Sequence, residues 1–278
     1  MRKEPVSISD EPYFNTDGAV RYAVLGSGST ANAYIFEYQG AAIAVDNGFS
    51  CKEFLSRAEK AGFNPASIRY ILLTHVHNDH LRGVSTLSRR VKAPVVLHEA
   101  LSVTKWLPKG VYSRIGLVPG DPLELGAFKV LPFESSHDAP FSVNYYIKAG
   151  SRTFTIITDT GKILPEMERL AKRTNILFLE ANYAKPMLLK GPYPEDIKNR
   201  ILSEQGHLSN ADAVHFLNTL AASGGSLPDM VYFCHLSDTN NSPEVLREYI
   251  RLNLEPRLRH RVCHKGELCM PEDFPPHP

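Results

Sequence analysis

The stretch "THVHNDH" (74–80) places His75, His77, Asp79 and His80 within seven positions. Neutral imidazole and carboxylate together suit borderline divalent metals, zinc as well as manganese or iron. Just before it, "IRYILLT" (68–74) carries a continuous apolar run and reads as a buried strand. Just after it, Asn78 fits the N-cap of a helix running through Arg90, with Leu81, Val84 and Leu87 on one face. The motif therefore falls where a strand ends and a helix begins. His75 and His77 project to the same side of an extended chain. Asp79 and His80, one turn into the helix, point back to the same rim. Four ligands from so short a segment crowd a single tetrahedral ion, and sharing them between two adjacent ions is the easier geometry.

Two ions need about seven or eight protein ligands, so other parts of the chain must contribute. His137 in "SSHDA" (135–139), Asp159 in "TDTG" (158–161) and His235 in "CHLS" (234–237) are candidates, each at or just past a predicted strand end. The surrounding pattern is α/β. A β-meander over "RYAVLGS" (21–27), "NAYIFEY" (32–38) and "AAIAVD" (41–46) leads into alternating strands and helices. Strands are expected near "APVVLHE", "FKVLPFES", "FSVNYYIKA", "TFTIITD", "ILFLEA" and "DMVYFCH". Helices are expected over 51–61, 165–173, 194–204, 210–222 and 243–251. Two mixed sheets packed together with helices outside is the architecture this order implies, with ligands at the rim where strands end.

Composition narrows the function classes. With 278 residues, 43% hydrophobic, 22% charged and a formal charge of +1, the chain is long enough for a large core and carries no global basic field. Cys51, Cys234, Cys263 and Cys269 are too scattered for a disulfide scaffold. No apolar run approaches the length of a membrane span, and no signal peptide or repeat is evident. The expectation is a cytoplasmic protein with no membrane partner, built as an N-terminal extension (1–20) and a single domain (21–278).

In this order the residues resemble the metallo-β-lactamase superfamily: "THVHNDH" matches its H-x-H-x-D-H signature, followed by His137, Asp159 and His235. "VDNG" (45–48) resembles the Asp-Gly turn that precedes the signature. The resemblance spans roughly 21–255 and implies a four-layer αββα sandwich with a dinuclear site at one edge. By that resemblance His75, His77 and His137 hold one metal, Asp79, His80 and His235 the other, and Asp159 bridges them. "LGSGSTANAY" (25–34) and "GPYPEDIKNRILSEQGHLSNADA" (191–213) are similar to the YycJ/WalJ branch, which implies a metal-dependent 5′→3′ DNA exonuclease. Asp159 and His235 are only 76 positions apart (235 − 159), too few for the β-CASP insert of other nucleases. No long arm like that of the tRNA-processing relatives is evident. Phosphodiesterase relatives such as RNase Z place a Glu and a His between these motifs for proton transfer, and Glu180 and His207 occupy matching places. Where many branch members are expected to carry a histidine, this sequence has Tyr183.

The implied reaction is phosphodiester hydrolysis with two divalent ions (zinc, manganese or iron), a metal-bridged hydroxide as nucleophile and His207, oriented by Glu180, protonating the leaving oxygen. Asp79, Glu180 and His207 are the expected catalytic residues. Ser29, Asn182, Lys190, Lys198 and Ser209 are expected to contact substrate, with Lys185 and Arg200 along a backbone groove for DNA. "GSGST" (26–30) reads as a tight turn, not a phosphate cradle, because no helix follows it. "HRVCHKGELC" (260–269) hints at a second zinc site through His260, Cys263, His264 and Cys269. Two alternatives remain open. One is a small-molecule hydrolase acting on a cyclic phosphodiester, thioester or lactone. The other is a non-catalytic module, against which the full set of seven ligand positions argues.

Overall fold

A computed structural model describes residues 19–103, 109–264 and 266–271. The first sheet comprises β1 (Arg21–Gly26), β2 (Ala33–Tyr38), β3 (Ala41–Val45), β4 (Ile68–Leu72), β5 (Val95–His98) and β6 (Arg114–Leu117), side by side in that order. Its first three strands are antiparallel, and from β3 onward the pairing is parallel. The second sheet comprises β7 (Leu123–Leu125), β8 (Phe128–Glu134), β9 (Val143–Ala149), β10 (Arg152–Ile157), β11 (Ile176–Glu180), β12 (Met230–Cys234) and β13 (His260–Val262). It is antiparallel from β7 to β10 and parallel from β10 to β13. The helices are α1 (Cys51–Lys60), α2 (Asn78–Leu81), α3 (Val84–Val91), α4 (Pro165–Ala171), α5 (Lys185–Lys190), α6 (Glu195–Leu202), α7 (Asn210–Ala222) and α8 (Pro243–Asn253).

The alternation of side chains along β2 decides the layering. Tyr34 and Phe36 face inward and join Phe154, Phe178 and Tyr232 of the second sheet in one buried cluster. The rings of Phe36 and Phe154 meet edge to face at 5.0 Å. Ile35 and Ala33 face the other way and pack with Phe54 and Ala58 of α1 and Leu87 of α3. A third cluster joins Leu177 and Leu179 of β11 to Leu170, Leu217 and Leu246 of α4, α7 and α8. Three apolar seams separate four layers, and the result is an αββα sandwich. Side chains cap the outer helices: Ser50 accepts from Glu53 N (3.2 Å), and Ser209 exchanges bonds with Asp212 at the start of α7.

The structure departs from the sequence reading in places. The single helix expected from Asn78 to Arg90 is broken into α2 and α3, and His77, not Asn78, precedes its first turn. The break lies at Gly83, whose N–H donates to Asn47 O (2.9 Å) and where a Cβ would stand 2.0 Å from Phe49 O. Close approach of the 46–49 turn, invisible in the local periodicity, interrupts the helix. α5, β6, β7 and β13 fall outside the elements that the sequence pattern predicts; each is short, and β6 and β13 are partly exposed. Residues 1–18 of the expected extension lie outside the described residues, while Val20 is already buried between the sheets. Among the described residues no helix is long and apolar enough to cross a membrane.

Candidate active site

The ends of β3, β4, β8, β10, β11 and β12 converge on one rim. From the first sheet, Asp46 follows β3 and is fully buried. Its carboxylate accepts from Thr74 N (2.8 Å), from Thr74 Oγ1 (2.7 Å) and from His80 Nδ1 (2.7 Å). Because a carboxylate only accepts, Nδ1 of His80 carries a proton, and in the neutral ring that metal binding requires it is Nε2 that offers the lone pair. That Nε2 lies 3.2 Å from Asp159 Oδ2 and 3.3 Å from both Asp79 Oδ2 and His235 Nε2. Gly48 lets this turn lie against α2, since a Cβ there would stand 1.8 Å from Asp79 O.

The second sheet contributes its groups one strand at a time. His137, after β8, donates from Nδ1 to Gly206 O (3.1 Å), and its Nε2 lies 3.2 Å from His77 Nδ1. Asp159, after β10, has Oδ1 3.3 Å from His235 Nε2 and 3.6 Å from His137 Nε2. His235, after β12, is fixed by its N–H on Ser27 Oγ (2.8 Å) and by Asn182 Nδ2 on its carbonyl (2.9 Å). Asp46, Asp159 and His235 are three of the six non-glycine residues with positive φ among the described residues. Such strain persists where the surroundings over-determine it, commonly at functional sites.

The donor set fits divalent metal. Ligand atoms of His75, His77 and His137 lie within 4.8 Å of one another, as do those of Asp79, His80 and His235, and those of His75, His80 and Asp159. His75 Nε2 is buried and has no hydrogen-bond partner, although its Nδ1 lies 3.0 Å from Thr74 Oγ1. Burial holds His75, His77 and His137 below the ordinary histidine range, so all three keep lone pairs. For His80 and His235 burial acts the same way but is outweighed, chiefly by Asp159, and both are pushed up. Burial would raise the Asp159 carboxyl, yet the His235, His80 and His75 rings hold it well below the usual range. Buried carboxylates call for positive charge, which the raised His80 and His235 rings offer when protonated and which divalent ions would supply in their place.

Next to this cluster, Glu180 is fully buried at the end of β11. Its Oε2 accepts from Thr160 N (3.0 Å) and Leu208 N (3.4 Å), and its Oε1 accepts from His207 Nδ1 (2.6 Å). The same Oε1 lies 3.3 Å from His235 Nδ1, so one carboxylate orients two rings. His207 lines a cleft of about 380 Å³ together with Asp79, Asp159 and His235.

The family model described as the Beta-lactamase superfamily domain matches residues 42–245. The chain belongs to this family. Exodeoxyribonuclease YycJ of Bacillus anthracis is 32% identical over 247 residues, covering 86% of this chain and 90% of that protein. Exodeoxyribonuclease WalJ of Streptococcus pneumoniae is 31% identical over 231 residues, covering 81% and 84% respectively. The crystal structure of the metallo-β-lactamase fold protein YhfI from Bacillus subtilis shares the fold, with a TM-score of 0.69, 17% identity, and coverage of 91% of this chain and 99% of that one. As a β-lactamase superfamily member the protein is a metal-dependent hydrolase.

In this β-lactamase superfamily hydrolase the other residues named from sequence scatter. Ser29 and Asn182 line the cleft, as does Arg200, whose guanidinium is ion-paired with Asp138. Lys185 and Lys190 are exposed on α5 and do not line it. Lys198 is 7% exposed and turned into the fold, donating to Leu189 O (3.0 Å) and paired with Glu195 (3.0 Å). Ser209 is engaged as the N-cap of α7, its Oγ 2.6 Å from Asp212 Oδ2. Tyr183 is buried and bridges to Ser209 through the backbone. Thr30 is exposed. The 260–269 residues do not form a second metal site among the described residues. Cys263 and Cys269 lie in the core between the sheets, while His264 turns to Glu267 (2.8 Å). Asp46 and Asp138 have no role in the sequence reading, which places Arg200 along the groove without its carboxylate partner. "VDNG" was the available signal for the first, and nothing local marks the second.

Proposed function

We propose that this hydrolase is a dinuclear metal-dependent phosphodiesterase acting on DNA as a 5′→3′ exonuclease. The observation that carries the reading is the His207–Glu180 pair, a histidine backed by a buried carboxylate, facing the same cleft as the metal-ligating cluster. A poor alkoxide leaving group needs a proton donor, whereas hydrolysis of a lactone or thioester does not need this pair. The similarity to YycJ and WalJ, both named exodeoxyribonucleases, supports the same substrate class.

In this reading His75, His77 and His137 would hold one ion and Asp79, His80 and His235 the other, with Asp159 available to both. Zinc, manganese or iron all suit such donors. Bound there, divalent ions supply Lewis acidity for the phosphoryl oxygens and lower the pKa of water towards neutrality. The chain's own groups do the rest. Glu180 accepts from His207 Nδ1, which leaves Nε2 as the nitrogen available to substrate. As water adds to phosphorus and gives up one proton to solvent, the P–O bond to the leaving oxygen breaks and the Nε2 proton of the His207 imidazolium passes to that oxygen. The ring returns to its neutral Nδ1–H form. Glu180, itself held by two backbone N–H groups, stabilises the imidazolium before transfer. Arg200, steadied by Asp138 at the cleft, is placed to meet a backbone phosphate.

The test is parallel digestion of 5′- and 3′-end-labelled DNA with added zinc, manganese or iron. Mononucleotide release from the 5′ end, abolished by Asp79→Ala, is the expected result. Cleavage restricted to small phosphodiesters would refute the DNA assignment.

A further inference from the structure

Six large hydrophobic side chains stand exposed among the described residues, and one of them belongs to the loop that carries His137. Phe141 is 43% exposed and lies four residues beyond that histidine, in the turn between β8 and β9. Its φ is +57°, a left-handed conformation that strains a bulky residue. The turn holds it there. Ser135 N donates to Ser142 O (3.2 Å), Ser142 Oγ to Ala139 O (2.8 Å) and Val143 N to Thr74 O (2.9 Å). Exposure alone would say little, because single apolar side chains are common on surfaces. What sets Phe141 apart is its neighbour.

Its ring is stacked on that of His98, with centroids 5.0 Å apart and planes 30° from parallel. His98 ends β5, and because Leu72 of β4 pairs with Val96, His98 stands level with Thr74, the residue before His75. One ring of the pair therefore comes from the strand beside the H-x-H-x-D-H motif and the other from the His137 loop. Four residues of chain span at most about 14 Å, which bounds the separation of Phe141 from His137. His98 Nδ1 accepts from Ala100 N (3.1 Å), so the ring is fixed. Burial pushes His98 below the ordinary histidine range against the pull of Glu99 and Glu134, so the ring is uncharged at neutral pH. His98 covers one face of Phe141 and leaves the opposite face open. With two exposed carboxylates near it, this surface disfavours a phosphate and suits a flat, uncharged group.

We propose that Phe141, backed by His98, is a stacking platform for a nucleobase adjoining the scissile phosphate. This rests on the DNA phosphodiesterase reading above and extends it from the phosphate to the base. Stacking reads no hydrogen-bonding edge, so the platform accepts any base. A base inside a duplex has both faces covered, so the platform takes one from a single strand or a frayed end.

The test uses two 5′-phosphorylated single-stranded DNAs with the same backbone, one normal and one abasic over its first few nucleotides. Metal-supplemented wild type, Phe141→Ala, Phe141→Leu and Phe141→Trp are compared on both. Wild type is expected to favour the base-bearing strand in kcat/KM by about fivefold to a hundredfold, the usual worth of one base–aromatic stack, with most of the difference in KM. In Phe141→Ala and Phe141→Leu that ratio falls towards unity, and Phe141→Trp retains it. A ratio unchanged in Phe141→Ala, with both activities lowered together, would show that the ring only shapes the His137 loop and would overturn the platform. So would a Phe141→Leu enzyme with the wild-type ratio, since apolar bulk would then suffice. Failure of the wild type to cut either DNA would instead overturn the DNA reading, and the platform with it.

Discussion

The two sheets contribute to the rim in different ways. The first delivers His75, His77, Asp79 and His80 from a single strand-to-helix junction and locks them with one buried carboxylate, Asp46. The second delivers His137, Asp159, Glu180 and His235 from the ends of four strands and His207 from the loop before α7. Local chain geometry nearly suffices to gather the first set. The second set meets only because β8, β10, β11 and β12 lie in one sheet whose register brings their ends level, as the pairing of Glu180 with Cys234 illustrates. A dense motif thus marks where chemistry happens, and the dispersed residues decide which chemistry it is.

Substitutions can break that division of labour. The largest effect is expected at Asp159, the carboxylate nearest rings from both sheets. Asp159→Ala should take hydrolysis to background and lower bound metal as measured by elemental analysis. His207→Ala should leave metal content intact and lower kcat by about 10²–10⁴-fold, the usual contribution of a general acid, with a smaller change in KM. If kcat on unactivated DNA is unchanged, the second sheet supplies no proton. Asp46→Ala tests the lock on the first set, because it strips Thr74 N and His80 Nδ1 of their acceptor. Metal affinity by competitive chelation should fall about 10–100-fold, the typical loss when a group orienting a ligand is removed. The smallest effects separate two cations of α6. Arg200→Gln should reduce the salt slope of DNA binding by about one, as expected for a phosphate contact. Lys198→Ala should leave that slope alone and cost about 1 kcal/mol of stability in denaturant unfolding, because its ammonium serves the fold.

Legibility from sequence followed the range of the interaction concerned. Strands such as 143–149 and helices such as α7 and α8 were readable because their periodicity and caps are local. The helix break at Gly83 was not, since it answers to the Asn47 turn lying against it. Basic residues in the 185–200 stretch looked alike as text. Only packing separates Lys198, turned inward, from Arg200, which lines the cleft. Cys263 and His264 are neighbours in sequence, but one is buried in the core and the other turns to Glu267.

The sequence by itself determined the αββα layering and the density of metal-ligating groups, because alternation, caps and the H-x-H-x-D-H spacing are short-range properties. It also put His137, Asp159, Glu180, His207 and His235 in an order that the resemblance made meaningful. Only the tertiary structure decided which nitrogen of His80 faces the metal-ligating cluster and which carboxylate holds His207. Those outcomes depend on distances between groups far apart in the chain, among them Asp46 and His80, and Glu180 and His207. They become fixed only when two sheets pack face to face and bring their strand ends to one rim.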